Sequence, residues 1–149
     1  QAPSPEFEQE SSKISIFAIG YSLQQVSHIE KGYGTLIPDE DFPVSGILHE
    51  SDIHHSQRCP KGHRLFRLMV PHNRWDKETD SVQKCAESLL AHNPVIFRKI
   101  GERKIPSYTP GHMAKLSQIS LECSYVGWSY SGVSITHVIS QSERIAELF

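Results

Sequence analysis

Cysteine is scarce in this sequence. Cys59, Cys85 and Cys123 are the 3 in 149 residues, an odd number without close spacing. Such a set builds no disulfide framework and favours a reducing compartment. Long apolar runs are missing as well. No stretch approaches the ~20 residues that cross a bilayer, which leaves attachment to a membrane surface open. Charge of one sign is also lacking. A net charge of -2, from 15 Lys and Arg against 17 Asp and Glu, gives no electrostatic reason to expect nucleic acid as a partner. Signatures of self-contained catalysis are absent too. No serine stands in a G-x-S-x-G elbow, so neither Ser129 nor Ser134 has the context of a nucleophile. No pair of carboxylates can be identified for acid-base work. His54, His55, Cys59 and His63 crowd together without a paired C-x-x-C or H-x-x-x-H element, and read as a solvated loop rather than a metal site. No metal is therefore expected, and any catalysis would rest on a bound cofactor.

What is present is an ordinary globular composition, 38% hydrophobic and 21% charged. The length suits one domain with its own core. Residues 1–12, with two prolines, paired serines and three glutamates, read as a disordered lead-in or a cut edge. Residues 13–21 follow as a strand with apolar side chains on both faces, which predicts a strand buried inside a sheet. A central strand so near the first residue, and a first residue that is Gln rather than Met, lead us to expect further chain upstream. Short strands are predicted at 35–38, 44–49 and 64–70, with hairpin-like links between them. From Trp75 the spacing changes. Val82, Ala86, Leu89 and Leu90 mark one face of a helix, which Asp76 or Thr79 could cap and Asn93-Pro94 ends. Cys85 falls on its inner face and reads as core. His72 and His92 read as surface residues beside helix ends. Residues 95–100 form another strand, 105–112 a turn-rich connection and 113–119 a short helix. Strands first, then a helix and a closing strand-helix unit give an α+β class with an antiparallel or mixed sheet.

The chain is organised around Gly127-Trp128-Ser129-Tyr130-Ser131-Gly132-Val133-Ser134-Ile135-Thr136. An apolar run, 121–126, precedes it. Beyond it Ile135, Val138, Ile139, Ser142, Ile145, Ala146 and Phe149 recur at helical spacing. A strand is expected to enter a small-residue turn that opens a helix, with Ser131 or Gly132 as its N-cap. The N–H groups of Val133, Ser134 and Ile135 would then lie unpartnered at the positive end of the helix dipole, a place for a phosphate or an electron-rich ligand edge. The same spacing also suits a plain joint between strand and helix.

Two strings in this order resemble the C-terminal part of the protoporphyrinogen oxidase family, within the flavin amine oxidase superfamily. Lys104-Ile105-Pro106-Ser107-Tyr108-Thr109-Pro110-Gly111-His112 is similar to the family's I-P-x-Y-T-x-G-H segment. The turn from Gly127 to Ile135 is similar to its flavin-contacting G-x-S-Y-x-G-V. A third and weaker string, Gly32-Tyr33-Gly34-Thr35-Leu36-Ile37-Pro38 followed by Gly46-Ile47-Leu48-His49-Glu50-Ser51, resembles its G-F-G-x-L-V-P region.

The resemblance implies that Trp128, Val133, Ser134 and Ile135 are FAD-binding contacts. It implies a substrate-binding sheet and helix over 13–104 and the closing strand-helix element of a Rossmann-like FAD domain over 105–149. The implied reaction is O2-dependent oxidation of protoporphyrinogen IX to protoporphyrin IX in haem synthesis. The implied partners are a tetrapyrrole substrate, the N-terminal half of the flavoprotein, a membrane surface at the mitochondrial inner membrane and a second copy in a homodimer. Tyr108, Tyr130 and Trp128 could line an aromatic pocket for the tetrapyrrole or pack the core.

Departures from the family accompany these matches. No G-x-G-x-x-G, the pyrophosphate-binding turn, occurs in the 149 residues. Met69-Val70-Pro71-His72 stands where the family has Met-Leu-Gly-Gly. His137 stands where it has Asp, and Gln141-Ser142 where it has Ser-Gly. The expectation is a C-terminal portion with little catalysis by itself. The alternative is a non-catalytic remnant or interaction subunit that keeps the fold without the flavin.

Overall fold

A computed structural model of the chain describes residues 10–54, 58–118 and 124–148. Most of the lead-in lies outside these residues, and Ser11 and Ser12 already belong to the first strand. In chain order the elements are β1 (Ser11–Ser22), β2 (Gly34–Leu36), β3 (Gly46–Leu48), α1 (Glu50–Ile53), β4 (His63–Pro71), α2 (Thr79–Leu89), β5 (Ile96–Pro106), α3 (His112–Ser117), α4 (Trp128–Ser131) and α5 (Ile135–Ala146). The protein is α+β. Two compact units divide it: one is Lys13–Arg103, the other joins Gln1–Ser12 to Lys104–Phe149.

The five strands form one sheet in the order β2-β3-β4-β1-β5. β1 pairs antiparallel with β4, β4 with β3, and β3 with β2. Because side chains alternate along a strand, register assigns every residue to one of two faces. Phe17 lies opposite Leu68 and Ile19 opposite Phe66, with Ile47 on the same level of β3. These residues and Tyr21 and Val70 are closed from solvent by the helix α2, through Val82 and Ala86, and by Trp75 and Leu90. Phe17 is the centre of an aromatic group, edge-on to Trp75 at 5.7 Å and stacked on Phe97 at 5.4 Å.

The other face is also apolar, as the sequence predicts, yet it is not buried. Ile16 lies opposite Met69, Ala18 opposite Arg67 and Gly20 opposite Leu65, while Leu48 flanks Arg67 on β3. The burial of β4 alternates without interruption between closed residues at 64, 66, 68 and 70 and half-open ones at 65, 67 and 69. β1 is thus a central strand of the sheet with one face closed, not a strand enclosed on both sides. Ile96 sits over Gly20, where a Cβ would come within 2.8 Å of its Cγ2. Glycine at 20 is what makes room for the Ile96 side chain of the neighbouring strand β5.

The ends of α2 show how local chemistry sets boundaries. Its N-cap is Glu78, without a side-chain cap bond. Asp76 instead accepts from the Glu78 N–H (2.9 Å) and from the Ser81 hydroxyl (2.8 Å), so the carboxylate acts one step before the helix. Cys85 packs against the core, and burial pushes its thiol up from the usual range. His92 is exposed, as expected. His72 is not a free surface residue: Nε2 lies 2.9 Å from the Ser15 hydroxyl and its ring meets Trp75 edge-on.

Tyr21 is fully buried, and among the described residues its hydroxyl makes no hydrogen bond of good geometry, although the Ala91 backbone lies near enough to temper the shift of the phenol. Desolvation, and after it the negative charge of Glu87, pushes its phenol from 10.0 up to about 12. A raised folded-state value favours the neutral form, so its contribution to stability is complete below pH ~10 and is lost as pH rises towards ~12. Tyr21→Phe is expected to remove that alkaline loss, and at pH 8 to leave stability unchanged or raise it by up to ~1 kcal/mol, since an unpaired buried hydroxyl is deleted. Urea denaturation of both proteins at pH 8 and pH 11 measures it.

Candidate functional site

In the unit that contains residues 104–148, the two strings noted in the sequence are in contact. The turn begins at Gly127, whose φ of 141° belongs to glycine, and Trp128–Ser131 then makes a single helical turn, α4. The Gly127 carbonyl accepts from the N–H groups of Tyr130 (2.9 Å) and Ser131 (2.8 Å). The connection after β5 holds this turn by its carbonyls. Tyr108 donates its hydroxyl to the Trp128 carbonyl, and His112 Nε2 lies 2.8 Å from the Ser129 carbonyl. The two rings stack face to face, with centroids 4.6 Å apart and planes 8° from parallel. Gly111, at φ 80°, turns the chain into α3 so that His112 can reach. Tyr108 and His112 thus position the turn through its backbone.

The aromatic residues do not line one pocket. Tyr130 stacks on Tyr125 (5.1 Å) and borders a cavity of about 470 Å³ between α3 and α5. Trp128 borders a different one, of about 240 Å³, with Lys104 and Pro106. Tyr108 is engaged with His112.

The helix start differs from the expected one. The predicted caps, Ser131 and Gly132, end α4 instead. Gly132 has φ 113°, and a Cβ there would overlap the His137 ring. The N-cap of α5 is Ser134, whose hydroxyl accepts from the His137 N–H at 3.1 Å. The amides of Val133, Ser134, Ile135 and Thr136 have no acceptor among the described residues. Beside them the apolar side chains stand open: Trp128 is 43% exposed, Val133 40% and Ile135 70%. The strand expected over 121–126 is not seen at 124–126, and 121–123 lie outside the described residues.

A flavin can be tested against this donor set. Its ring presents carbonyl and nitrogen edges that take backbone N–H groups, and a flat apolar face that side chains such as Trp128 and Val133 can cover. The amides and the open apolar groups are both there, so the residues present fit the ring. They offer nothing for the pyrophosphate, whose glycine-rich turn the 149 residues lack.

The other unit holds a charged cluster that sequence reasoning passed over. Glu50, 3% exposed, offers one carboxylate oxygen to Arg58 at 2.5 Å and to Arg67 at 2.7 Å, with His54 at 3.9 Å. Asp52 pairs with the buried Arg64 (2.7 Å), which also donates to the carbonyls of Ile29 and Glu30. Burial, and next the Arg64 charge, hold His49 below the usual histidine range. In the crowded loop, Cys59 is pushed up by burial and His63 lies 3.2 Å from the Lys61 carbonyl, while His55 lies outside the described residues. The signal for the cluster was available: arginines at 64 and 67 interrupt an otherwise apolar strand, one on each face.

Comparison with protein-family models and with curated proteins finds no match. Among solved structures, the chain is similar in fold to reduced UDP-galactopyranose mutase, with a TM-score of 0.53 and 14% identity. The likeness covers 92% of this chain and 28% of that one, so the chain spans well under half of that protein's length. At this identity the likeness describes the fold.

Gly132→Ala is expected to cost ~1–3 kcal/mol, because the new methyl group meets the His137 ring in a backbone conformation that L-residues avoid. Ser134→Ala should cost ~1 kcal/mol through the lost cap. Amide exchange across residues 133–146 checks both: protection should fall in α5 and stay unchanged in β1 and β4.

Proposed function

We propose that this chain is the C-terminal portion of an FAD-dependent oxidase resembling protoporphyrinogen oxidase, working with a stretch of polypeptide that supplies the pyrophosphate-binding turn. The observation that carries the reading is the start of α5. There, unpartnered amides at 133–136 lie beside half-open Trp128, Val133 and Ile135. The resemblance of residues 104–112 and 127–135 to the family adds to it, because Tyr108 and His112 hold the turn in place by its carbonyls.

In this reading the Val133, Ser134 and Ile135 amides donate to the ring edge, and the helix dipole favours negative charge there. Trp128 and Val133 cover the ring and keep water from it. The chemistry that bound FAD supplies is acceptance of hydrogen from protoporphyrinogen IX and delivery of the electrons to O2. The unit with the sheet is the substrate-binding part, and the enzyme works as a homodimer at the mitochondrial inner membrane. No helix among the described residues is long and apolar enough to cross a membrane.

The ring site can be assayed without phosphates. Lumiflavin, the bare ring system, is expected to bind the purified chain saturably, with its fluorescence quenched by Trp128. Ile135→Glu should weaken binding by ~10-fold or more, because a carboxylate then faces the electron-rich ring edge. Absence of saturable quenching, together with a protein that stays colourless alongside a dinucleotide-binding partner, would overturn the oxidase reading in favour of an interaction subunit.

A further inference from the structure

We propose that Arg67 is the residue that recognises an acidic group of the substrate, and that the open face of the sheet is the platform on which the substrate's apolar body rests. This rests on the oxidase reading for the identity of the substrate. The argument begins with register. Residues 65, 67 and 69 of β4 share a face with Ile16 and Ala18 of β1 and Leu48 of β3. At the middle of this face Arg67 stands among apolar neighbours, with Ala18 on one side and Leu48 on the other; Ser22 and His63 lie at its far end, and Arg98 follows Ile96 on the same side of β5.

An unsupported arginine on such a surface would be costly and mobile, and this one is neither. Its Nη2 is held at 2.7 Å by the Glu50 carboxylate, which is itself buried. Glu50 already serves Arg58 on the same oxygen, so two guanidinium charges share one carboxylate and positive charge remains in excess. The Arg67 side chain keeps 31% of its surface open. Its Nε and Nη1 have no acceptor among the described residues. A guanidinium fixed through Nη2 still has N–H donors at Nη1 and Nε, and either can donate to a carboxylate. The flat apolar surface around it is suited to a macrocycle. A tetrapyrrole has both parts, since its propionates project from the edge of an apolar ring. Charge complementarity thus points to the acid form of the substrate. Arg67 sets specificity and takes no part in hydrogen transfer.

Protoporphyrin IX and its dimethyl ester separate the carboxylate from the ring. Titrated into the full chain and followed by quenching of porphyrin fluorescence, the acid is expected to bind ~10-fold or more tightly than the ester. Arg67→Met should abolish that preference while leaving ester binding unchanged, and Arg67→Lys should restore part of it. Should Arg67→Met fail to fold, Glu50→Gln/Arg67→Met removes both partners of the pair and is read in its place. Equal binding of acid and ester by the parent chain overturns the proposal. So does a chain that binds neither porphyrin but sediments as a dimer that Ala18→Asp dissolves, since the face then belongs to a second copy. The readout does not involve flavin. Arg67-dependent porphyrin binding without lumiflavin binding would keep this inference and remove the oxidase reading. Lumiflavin binding without acid preference would do the reverse.

Discussion

The register between β1 and β4 is the constraint on which the sheet unit depends. It places Phe17, Ile19 and Tyr21 on the level of Phe66, Leu68 and Val70, all closed from solvent. Each such side chain contributes ~1.5–3 kcal/mol on burial. A slip of one residue would turn these groups to the open face and bring Arg67 under α2, where its charge would be unpaired and dry. The slip is therefore excluded many times over. The same alternation that closes one face necessarily leaves Ile16, Ala18, Leu65 and Met69 together on the other. The open platform is a by-product of the geometry that makes the core, and what is specific to it is the arginine at its centre and the buried glutamate that holds it.

In the other unit the organising force is polar. α5 has no buried residue, and a helix of its length is marginal on its own in water. What fixes its approach is the turn before it, gripped at two successive carbonyls by Tyr108 and His112. The turn's own amides are spent within it, Gly127 on the Ser131 hydroxyl and Tyr130 and Ser131 on the Gly127 carbonyl, so the unpartnered donors are those that follow it at 133–136. The glycines at 127 and 132 serve this arrangement by conformation, and His137 fills the space that the second one leaves open.

Much of this was legible in the sequence because it rests on periods and breakers. Alternation located β1 and β4, three-and-four spacing located α2 and α5, and Asn93-Pro94 marked the end of α2. The cap of α5 was not legible. Serines at 129, 131 and 134 are all competent caps, and the choice among them is made by the φ of Gly132 and by the one-turn helix before it, which depend on contacts from residues 108 and 112. The closure of only one face of β1 was likewise hidden, because apolar residues on both faces look the same in sequence whether or not a helix covers them. His72 was misplaced for a related reason: its partners, Ser15 and Trp75, are brought to it by strand pairing and by the fold of the loop. The charged cluster at Glu50 needed the register of β4, since parity alone separates the structural Arg64 from the half-open Arg67.

Two surfaces in this chain remain apolar and open, and they differ in what would satisfy them. Around α5 the exposed groups include Ile135, Ile139 and Leu148, the last at 75%. They stand beside backbone donors, so a ring with polar edges or a further layer of polypeptide would relieve both the apolar exposure and the unpartnered amides. On the sheet the apolar groups surround a cation, so the complement there is an apolar body with an anionic rim. A generic covering chain would meet the first requirement without meeting the second, because Arg67 would still need an acid brought to its open corner. The two surfaces thus ask for chemically different occupants, one with polar edges that accept hydrogen bonds and one with an anionic rim, and the reading proposed above would assign a flavin to the first and an acidic macrocycle to the second.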